Sequence, residues 1–485
     1  MTTQRSLGLY ERYALAMSGL GHAPAVAVSC LLPTSSGLNS TNLLAAITAL
    51  HRQEPHLRSE VTDSRTIEPK FYTNDDIEPE RVLVERIGVA HSAEQALLDA
   101  MEELVALDVT QAPLWRVWTY EADPETNDRR LVVGIHHLLA DGTAAKNLFT
   151  DFLALLRSPS SREESNDIPC PPTLESTIDL RPSWRTLLRT GLSEFVLPKL
   201  PSFLRPRTVP CWPNPAVVPP IDQPTATKLF FLDSNLASSL SSIPKSLYNV
   251  QTLHPTLLLA AVTAISNTVL STPNSPQAVD VVSQTPISLR SPSLSHPFLC
   301  SNYVTTIPHL LRSITPSYLS STSFWSLTRS IATHLRSPTQ LQLSKESLGM
   351  LAYVSPGDPH KVLSEGEKTE WENWLEGRMK GNSSPWKGSL EFSNLGRIDR
   401  RGEIDEWLHE GMKEVCWAQP ASCGGNALQF NAISCGGLLS VSLTWRKDAI
   451  DQTVVDTLWR SFEAILTKIA RGEVTEETTL ADLVK

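Results

Sequence analysis

Apolar and polar residues alternate along the first part of the chain with two different periods. Short apolar runs bounded by polar, Gly or Pro residues are typical of buried strands, whereas apolar residues three and four positions apart indicate helices. This pattern predicts strands at residues 23–32, 67–72, 82–87, 114–120 and 131–135, and helices at residues 39–52, 91–107 and 143–156. Strands and helices that alternate in this way predict a layered α/β sandwich.

A segment rich in Pro, Ser and Arg interrupts the alternation at residues 158–224 and contains the runs IPCPPTLE, LPKLPSFLRPR and VPCWPNPAVVPP. Pro at this density prevents a continuous helix or a central strand. The segment is therefore predicted to be an extended crossover, with one or two helical turns within residues 183–196. The predicted organisation is a first half at residues 1–157, a crossover at residues 158–225 and a second half at residues 226–485.

The alternation resumes after the crossover. It predicts strands at residues 227–232, 279–289, 390–393, 427–433 and 438–445, and helices at residues 256–270, 323–336 and 451–470. The last two strands flank a Ser-Cys-Gly-Gly turn, which indicates an antiparallel pair. Because a chain of 485 residues exceeds the usual size of a single hydrophobic core, two α/β domains are expected.

Composition narrows the set of partners. The formal net charge of −10 argues against a nucleic-acid partner, which requires a basic face, and gives no support for binding an anionic membrane. The most apolar window, residues 253–270, contains Pro255 and Asn267 and is predicted to be a buried helix and not a membrane span. With no targeting signal at its start, the chain is expected to be a cytoplasmic monomer, with peripheral membrane association left open.

The cysteines suggest neither a disulfide framework nor a metal site. There are seven, an odd number, and no two form a Cys-x-x-Cys pair, so a reducing compartment is the simplest interpretation. Cys423 and Cys435 each precede Gly-Gly, but nothing nearby supplies a base, so both are predicted to be small buried residues and not nucleophiles. The sequence has no Walker loop, no Gly-x-Gly-x-x-Gly fingerprint and no metal-ligand cluster, so neither a nucleotide cofactor nor a metal is expected.

The most informative motif is HHLLADG, at residues 136–142, which has the pattern HHxxxDG. It follows the apolar run at residues 131–135 and precedes a predicted helix, with Gly142 expected to permit the turn. Adjacent side chains at a strand end point to opposite sides, so at most one histidine faces a given cavity, where imidazole could exchange a proton near neutral pH. The alternative is a structural histidine pair capped by an Asp turn.

This motif resembles the active-site signature of the chloramphenicol acetyltransferase-like superfamily, which includes condensation domains, plant acyltransferases and wax-ester synthases. Within the superfamily the chain is most similar to the fungal alcohol O-acetyltransferases. The similarity extends over nearly the whole length, through LYERY at residues 9–13, PHLR at 55–58, PLWR at 113–116, PISLR at 286–290 and SNLG at 393–396. The resemblance implies two chloramphenicol acetyltransferase-like α/β sandwich halves with a tunnel between them, open at both ends.

The resemblance also implies a function. It identifies His137 as the catalytic base of an acyl-CoA-dependent O-acyltransferase, with His136 structural. The expected substrates are acetyl-CoA, as a co-substrate and not a tightly bound cofactor, and a hydrophobic alcohol, in keeping with the specialised metabolism of filamentous fungi. Two alternatives are a free-standing condensation-type domain, using a carrier-tethered thioester or an amine acceptor, and a non-catalytic binding protein on this scaffold.

The resemblance assigns further site residues. It directs Asp141 into a salt bridge with Arg290, although Asp141 could also cap the following helix or orient His137. Gly142 would keep the tunnel wall free of side-chain bulk. Ser393 and Asn394 could contact the developing oxyanion or the tunnel, or form an ordinary Asn-x-Gly turn. The Asp-Phe-Gly-Trp-Gly motif of the plant and trichothecene branches is absent, so no coenzyme A contacts are assigned.

Overall fold

The computed structural model describes most of the chain. The described residues are 4–34, 37–86, 92–123, 125–158, 170–200, 211–213, 224–272, 276–290, 300–364, 366–381, 386–398, 402–447 and 449–484. Much of the predicted crossover, including residues 159–169, 201–210 and 214–223, lies outside them. The helical turns predicted there are present as an α-helix at Trp184–Gly191, followed by a π-helical turn at Leu192–Val196.

The strands form two large sheets and one small one. Their bounds are β1 Gln4–Ser6, β2 Ala25–Pro33, β3 Ser59–Thr62, β4 Lys70–Thr73, β5 Leu83–Arg86, β6 Trp115–Tyr120, β7 Asp128–His136, β8 Thr225–Leu232, β9 Val279–Ser288, β10 Val304–Ile314, β11 Gly388–Arg397, β12 Lys413–Ala418, β13 Asn426–Cys435 and β14 Leu438–Arg446. The orders are β12-β2-β7-β6-β5, β10-β9-β11-β13-β14-β8 and β1-β4-β3.

Helices cover the two large sheets. Their bounds are α1 Leu9–Gly19, α2 Ser40–Gln53, α3 Ala93–Val105, α4 Gly142–Arg157, α5 Leu174–Thr177, α6 Trp184–Gly191, α7 Ser234–Tyr248, α8 His254–Leu270, α9 Pro316–Ser321, α10 Phe324–Leu335, α11 Pro338–Gly349, α12 Glu370–Gly381, α13 Gly402–His409 and α14 Gln452–Ala470. In the first half α2 and α4 pack together, and α3 packs on β2 and β7. In the second half α8 and α14 pack together, with α8 against β9.

The central strands of the first sheet explain the position of the histidine motif. Residues 25–32 of β2 and 131–135 of β7 are nearly continuous apolar runs, because helices cover the sheet and little of either segment meets solvent. They pair antiparallel, with Ala25 opposite His136 and Val28 opposite Val133. The last residue of β7 is therefore His136, and His137 follows at the rim of the sheet.

One strand crosses between the halves. β12 belongs to the second half in sequence but adds to the edge of the first sheet, where Trp417 pairs with Val28. Its six residues, KEVCWA, mix charged and apolar types and show no clear period, which is why the sequence pattern did not predict a strand there. This pairing joins the two halves by backbone hydrogen bonds.

Most predicted elements are present within a few residues of their expected ends, with some corrections. The strand expected at residues 67–72 is confined to Lys70–Thr73, and the strand expected at 390–393 is longer, at Gly388–Arg397. The sequence pattern also missed α7, α11 and β10, whose apolar residues are interrupted by Ser, Gln or His.

Candidate active site

The histidine motif lies in a turn that hydrogen bonds hold to neighbouring strands. The backbone N–H of His136 donates to Leu114 O at 2.9 Å, and that of His137 donates to Pro24 O at 2.9 Å. The N–H of Leu139 then closes the turn onto His136 O at 3.0 Å. The backbone leaves the sheet at this turn, so the two imidazoles project into different surroundings.

His136 is buried, and both of its ring nitrogens have hydrogen-bond partners within the protein. Its Nδ1 accepts from the backbone N–H of Leu138 at 3.1 Å, and its Nε2 lies 3.4 Å from Ser18 Oγ. Because Ser18 already donates its hydroxyl hydrogen to Ala14 O at 2.8 Å, the proton in the imidazole–serine contact belongs to Nε2. Burial lowers the pKa of His136 to about 3, aided by the neighbouring His137. A neutral His136 therefore connects the turn to α1.

His137 faces the region between the halves and keeps part of its surface accessible. Its Nδ1 lies 3.1 Å from Asn302 Oδ1 and 3.4 Å from Tyr10 Oη, and the Tyr10 ring centroid is 5.4 Å from that of the imidazole. Burial lowers the pKa of His137 below its ordinary 6.5, opposed by the charge of Asp141, the backbone carbonyl of His137 and the hydrogen bond with Asn302. The imidazole is therefore neutral at neutral pH.

Asn302 determines which nitrogen of His137 carries the proton. Its Nδ2 donates to His137 O at 3.0 Å and to Leu138 O at 2.9 Å, which uses both amide hydrogens. The opposite amide orientation would place Oδ1 against two carbonyl oxygens, so Oδ1 must face the imidazole. An amide oxygen only accepts, so Nδ1 of His137 carries the hydrogen. The unshared electron pair is then on Nε2, which is the arrangement that a general base needs.

Asp141 acts both as a helix cap and as an ion-pair partner. Its Oδ1 accepts from Ala144 N at 3.0 Å at the start of α4, whereas its Oδ2 accepts from Arg290 Nη1 at 2.7 Å and from Tyr303 N at 2.9 Å. The structure thus contains the ion pair that the resemblance implied and the cap that was its alternative. Among the described residues no hydrogen bond joins Asp141 to His137, so the carboxylate does not orient that imidazole directly.

The ion pair holds the segment that carries Asn302. Arg290 Nη2 donates to Ser301 O at 2.9 Å and to Ser301 Oγ at 3.1 Å, and Asp141 N donates to Ser301 O at 3.2 Å. With Tyr303 N also bound to Asp141, the residues on both sides of Asn302 are fixed to the motif. The segment of residues 301–303 therefore brings a proton-orienting amide from the second half onto a histidine of the first half.

Comparison with known proteins identifies the fold. Residues 22–196, which contain the entire histidine motif, match the family model described as the wax ester synthase/diacylglycerol acyltransferase catalytic domain. The epimerization domain from the third module of tyrocidine synthetase B is 15% identical, with a TM-score of 0.60 over 99% of this chain and 98% of that chain. The chain has the two-lobed condensation-domain fold. The predicted fold class is confirmed.

Two further solved structures share the condensation-domain fold. The condensation domain of the Monacolin K polyketide synthase MokA is 11% identical, with a TM-score of 0.61 over 98% of this chain and 99% of that chain. The trichothecene 15-O-acetyltransferase from Fusarium sporotrichioides is 13% identical, with a TM-score of 0.64 over 97% of this chain and 95% of that chain. No curated protein sequence matches the chain. Identities this low establish the fold and leave the activity to be argued from the site.

Gly142 was expected to adopt a backbone conformation at the turn that other residues avoid, and the structure shows a different role. It begins α4, and its φ lies outside the left-handed region, so the expectation that glycine permits the turn is wrong. A Cβ at this position would lie 3.1 Å from Leu395 Cδ2 and 3.8 Å from the Trp417 ring. The absence of a side chain therefore lets α4 approach two strands that come from the second half of the condensation-domain fold.

Ser393 and Asn394 are not brought into contact with the imidazole. Ser393 is buried in β11 opposite Asn431, and Asn394 Oδ1 accepts from Gly396 N at 2.8 Å, as in an ordinary Asx turn. Among the described residues neither side chain forms a hydrogen bond with His137. Their part in stabilising an oxyanion stays a prediction, and the observed geometry of Asn394 is that of the turn alternative.

Sequence reasoning missed two polar residues that contact His137, Asn302 and Tyr10, and the buried Glu391. Asn302 belongs to no recognised motif, and Tyr10 stood inside the quoted LYERY stretch without an assigned role. Glu391 of β11 accepts from Gln419 Nε2 at 2.8 Å and from Asn426 Nδ2 at 3.3 Å, and burial raises its pKa. The charge of Glu391 also contributes to the raised pKa of Tyr10.

Other groups offer no competing chemistry in the part of the chain that the structure describes. None of the seven cysteines, all of which the structure describes, forms a disulfide, and Cys423 and Cys435 are buried. The described residues contain no group of three or more His, Cys, Asp or Glu side chains that could hold a metal ion. Within the same residues, no helix has the length and apolar character needed to cross a membrane. A cavity of about 280 Å³ beside α1 is lined by Arg12, Ser18 and Trp371 and does not include His137.

Proposed function

We propose that this protein is an acyl-CoA-dependent O-acyltransferase that transfers an acetyl group from acetyl-CoA to a hydrophobic alcohol or specialised metabolite. The observation that carries the proposal is the state of His137. The imidazole is neutral, Nδ1 donates to Asn302 Oδ1 at 3.1 Å, and the partly accessible side chain keeps its unshared electron pair on Nε2. The match of residues 22–196 to an acyltransferase catalytic domain supports the same reaction class.

The proposed reaction needs one base and no metal-bound intermediate. Nε2 of His137 removes the hydroxyl proton as the alcohol oxygen attacks the thioester carbonyl carbon, and the carbonyl π electrons move onto oxygen. When the tetrahedral intermediate collapses, the C–O bond to the alcohol remains and the C–S bond breaks. The thiolate of coenzyme A recovers the proton from the imidazolium, so the products are an ester and free coenzyme A.

Direct transfer is proposed because the cysteines are unsuited to carrying an acyl group. Burial raises the pKa of Cys423, and Cys435 lies in the hydrophobic core of the first half. A thiol kept protonated by burial is a weak nucleophile. Both substrates must then be bound together, and the kinetics should be sequential.

The test is transfer by the purified 485-residue chain from radiolabelled acetyl-CoA to a panel of straight-chain and terpenoid alcohols. We expect release of coenzyme A thiol that depends on the alcohol, an ester product, and intersecting lines in double-reciprocal plots. An acetylated Cys or Ser formed fast enough to lie on the pathway would contradict direct transfer. Transfer only to amines, or only from a carrier-tethered thioester, would support the condensation-type alternative, and transfer to none of these would support a binding protein.

A further inference from the structure

Four apolar side chains form an exposed stripe along α6 and the helical turn that follows it. The four are Trp184, Leu188, Leu192 and Val196, which are spaced four positions apart and therefore share one face of the helix. These residues are between 43% and 68% exposed to solvent. Within the described residues, none of the four belongs to a hydrophobic core cluster. We call them the apolar stripe.

The opposite side of α6 is polar, and this is the side that faces the protein. α6 packs on α11, where Ser183 Oγ donates to Glu346 Oε2 at 2.9 Å and Thr186 Oγ1 donates to the same oxygen. Thr186 is two positions from both Trp184 and Leu188, so it lies away from the apolar stripe. A surface helix normally turns its apolar face to the core. Because α6 has the reverse orientation, packing on α11 does not explain the stripe.

Basic residues accompany the apolar stripe. Arg185 and Arg189 are exposed on α6, and the Arg185 guanidinium carbon lies 5.6 Å from the centre of the Trp184 ring. From residue 184 to residue 207 the sequence has five basic residues and one acidic residue, whereas the whole chain has a net charge of −10. The segment that carries the stripe is therefore positively charged within an acidic protein. Exposed apolar side chains beside Arg and Lys are typical of helices that lie in the interface of an anionic lipid surface.

We infer that the apolar stripe docks on an anionic lipid surface, with its side chains at the boundary between headgroups and acyl chains and with Arg185 and Arg189 against the headgroups. Because α6 has eight residues, it is too short to cross a bilayer, and the helix lies parallel to the surface. The inference does not depend on the proposed acyl transfer. Together the two would hold the enzyme where a hydrophobic alcohol dissolves.

A second copy of the chain is a poorer occupant of the stripe. Two copies that paired through this face would bring their basic segments together, since a two-fold interface uses the same patch on both subunits. Like charges that face one another across an interface oppose association. An anionic lipid surface buries the same apolar side chains and attracts the arginines, so the charge of the segment favours lipid.

The experiment measures co-sedimentation of the purified 485-residue chain with two kinds of vesicle. One kind contains phosphatidylcholine alone, and the other contains equal parts of phosphatidylcholine and phosphatidylserine. The wild type should bind the mixed vesicles about 10-fold more tightly or better, and this binding should weaken as salt is added. Arg185→Gln/Arg189→Gln should lower binding to the mixed vesicles by about 10-fold or more and change binding to phosphatidylcholine by less than about 3-fold.

Leu188→Ser and Trp184→Ser test the apolar part of the surface. Each should lower binding to both kinds of vesicle by about 5-fold or more, because less apolar area enters the lipid. Leu247→Ser is the matched control, since Leu247 of α7 is 68% exposed and lies outside the stripe. It should change binding by less than about 2-fold. All three substitutions replace exposed side chains, so thermal melting midpoints should stay close to that of the wild type.

Four outcomes would overturn the inference. A wild type that binds neither kind of vesicle would exclude lipid docking, and equal binding by the wild type, Leu188→Ser and Trp184→Ser would place any lipid contact elsewhere. A dimer in sedimentation velocity that Leu188→Ser abolishes, without vesicle binding, would make the stripe a contact between copies. Melting midpoints lowered by more than about 5 °C in both stripe variants would show that the chain itself covers the stripe. None of these measurements involves acyl transfer, so they leave the proposed function to its own test.

Discussion

Removal of Asp141 or Arg290 tests whether the motif and the second half are held together by one shared interaction. The Asp141 side chain is 2% exposed and that of Arg290 is 15% exposed, so little water screens their 2.7 Å contact. Taking away one partner leaves the other charge buried, which costs about 3–5 kcal/mol and exceeds the net contribution of the pair itself. Asp141→Ala also removes the cap on Ala144, at about 1 kcal/mol.

The double variant separates these contributions. The double variant Asp141→Ala/Arg290→Ala still lacks the cap on Ala144, but it leaves neither charge unpaired. We expect the double variant to be destabilised by less than the sum of the singles, with a coupling of at least about 1 kcal/mol. Because the pair also holds the segment of residues 301–303, all three variants should lose activity together with stability.

The assay is urea unfolding followed by tryptophan fluorescence at pH 7, with acyl transfer measured on the same preparations. The pair formed by Asp179 and Arg181 is a suitable control, because it lies on the surface, with side chains 63% and 89% exposed. Its removal should have no measurable effect on unfolding. Additive losses of stability in the Asp141 and Arg290 variants would show that the two residues do not interact. The conclusion that this ion pair holds the segment of residues 301–303 would then have to be abandoned.

Two predictions concern protonation. Because burial lowers the pKa of His137 below 6.5, kcat/KM should be flat above pH 6.5 and fall at lower pH. Asn302→Asp would place a carboxylate on Nδ1, raise the pKa of His137 and move the fall in kcat/KM to higher pH. An unmoved pH profile would contradict the contact between Asn302 and His137. The buried histidines, with pKa values of about 3 to 4, stay neutral in the folded state, whereas the same residues in the unfolded chain gain protons below pH 6.5. The free energy of unfolding should therefore be highest above pH 6.5 and fall below it by up to about 1.4 kcal/mol per pH unit for each histidine. Equal unfolding midpoints at pH 7 and pH 5 would refute this. These histidines are His22, His51, His56 and His136.

The sequence predicted the part of the site that local pattern encodes. The strand at residues 131–135 and the helix at residues 143–156 follow from apolar spacing, and together they place His136 and His137 at a strand end. The residues that contact the motif could not be predicted from local pattern. Asp141 and Arg290 are 149 positions apart, and only the resemblance to known acyltransferases paired them.

Asn302 shows why the remainder could not be predicted. It lies 165 positions from His137, and its importance comes from two backbone carbonyls and one imidazole that meet it only in the folded chain. Nothing in the local sequence distinguishes this amide from that of any other Asn. Tyr10 is similar, because its contact with His137 forms only in the folded chain.

Gly142 and β12 illustrate how tertiary packing overrides local expectation. The sequence suggested that Gly142 serves a turn, but the close approach of Leu395 from the other half explains the missing side chain. β12 lacks a strand pattern of its own and becomes a strand because the open edge of β2 supplies hydrogen-bond partners. Both effects arise at the junction of the halves, where residues distant in sequence meet.

The most direct test of the account is the rate of acetyl transfer by His137→Ala, compared with the wild type under saturating acetyl-CoA and alcohol. If Nε2 of His137 is the base, the chemical rate should fall by about 10²-fold or more, while affinity for coenzyme A and the thermal melting midpoint change little. A His137→Ala protein that transfers acetyl groups at the wild-type rate would contradict the central claim.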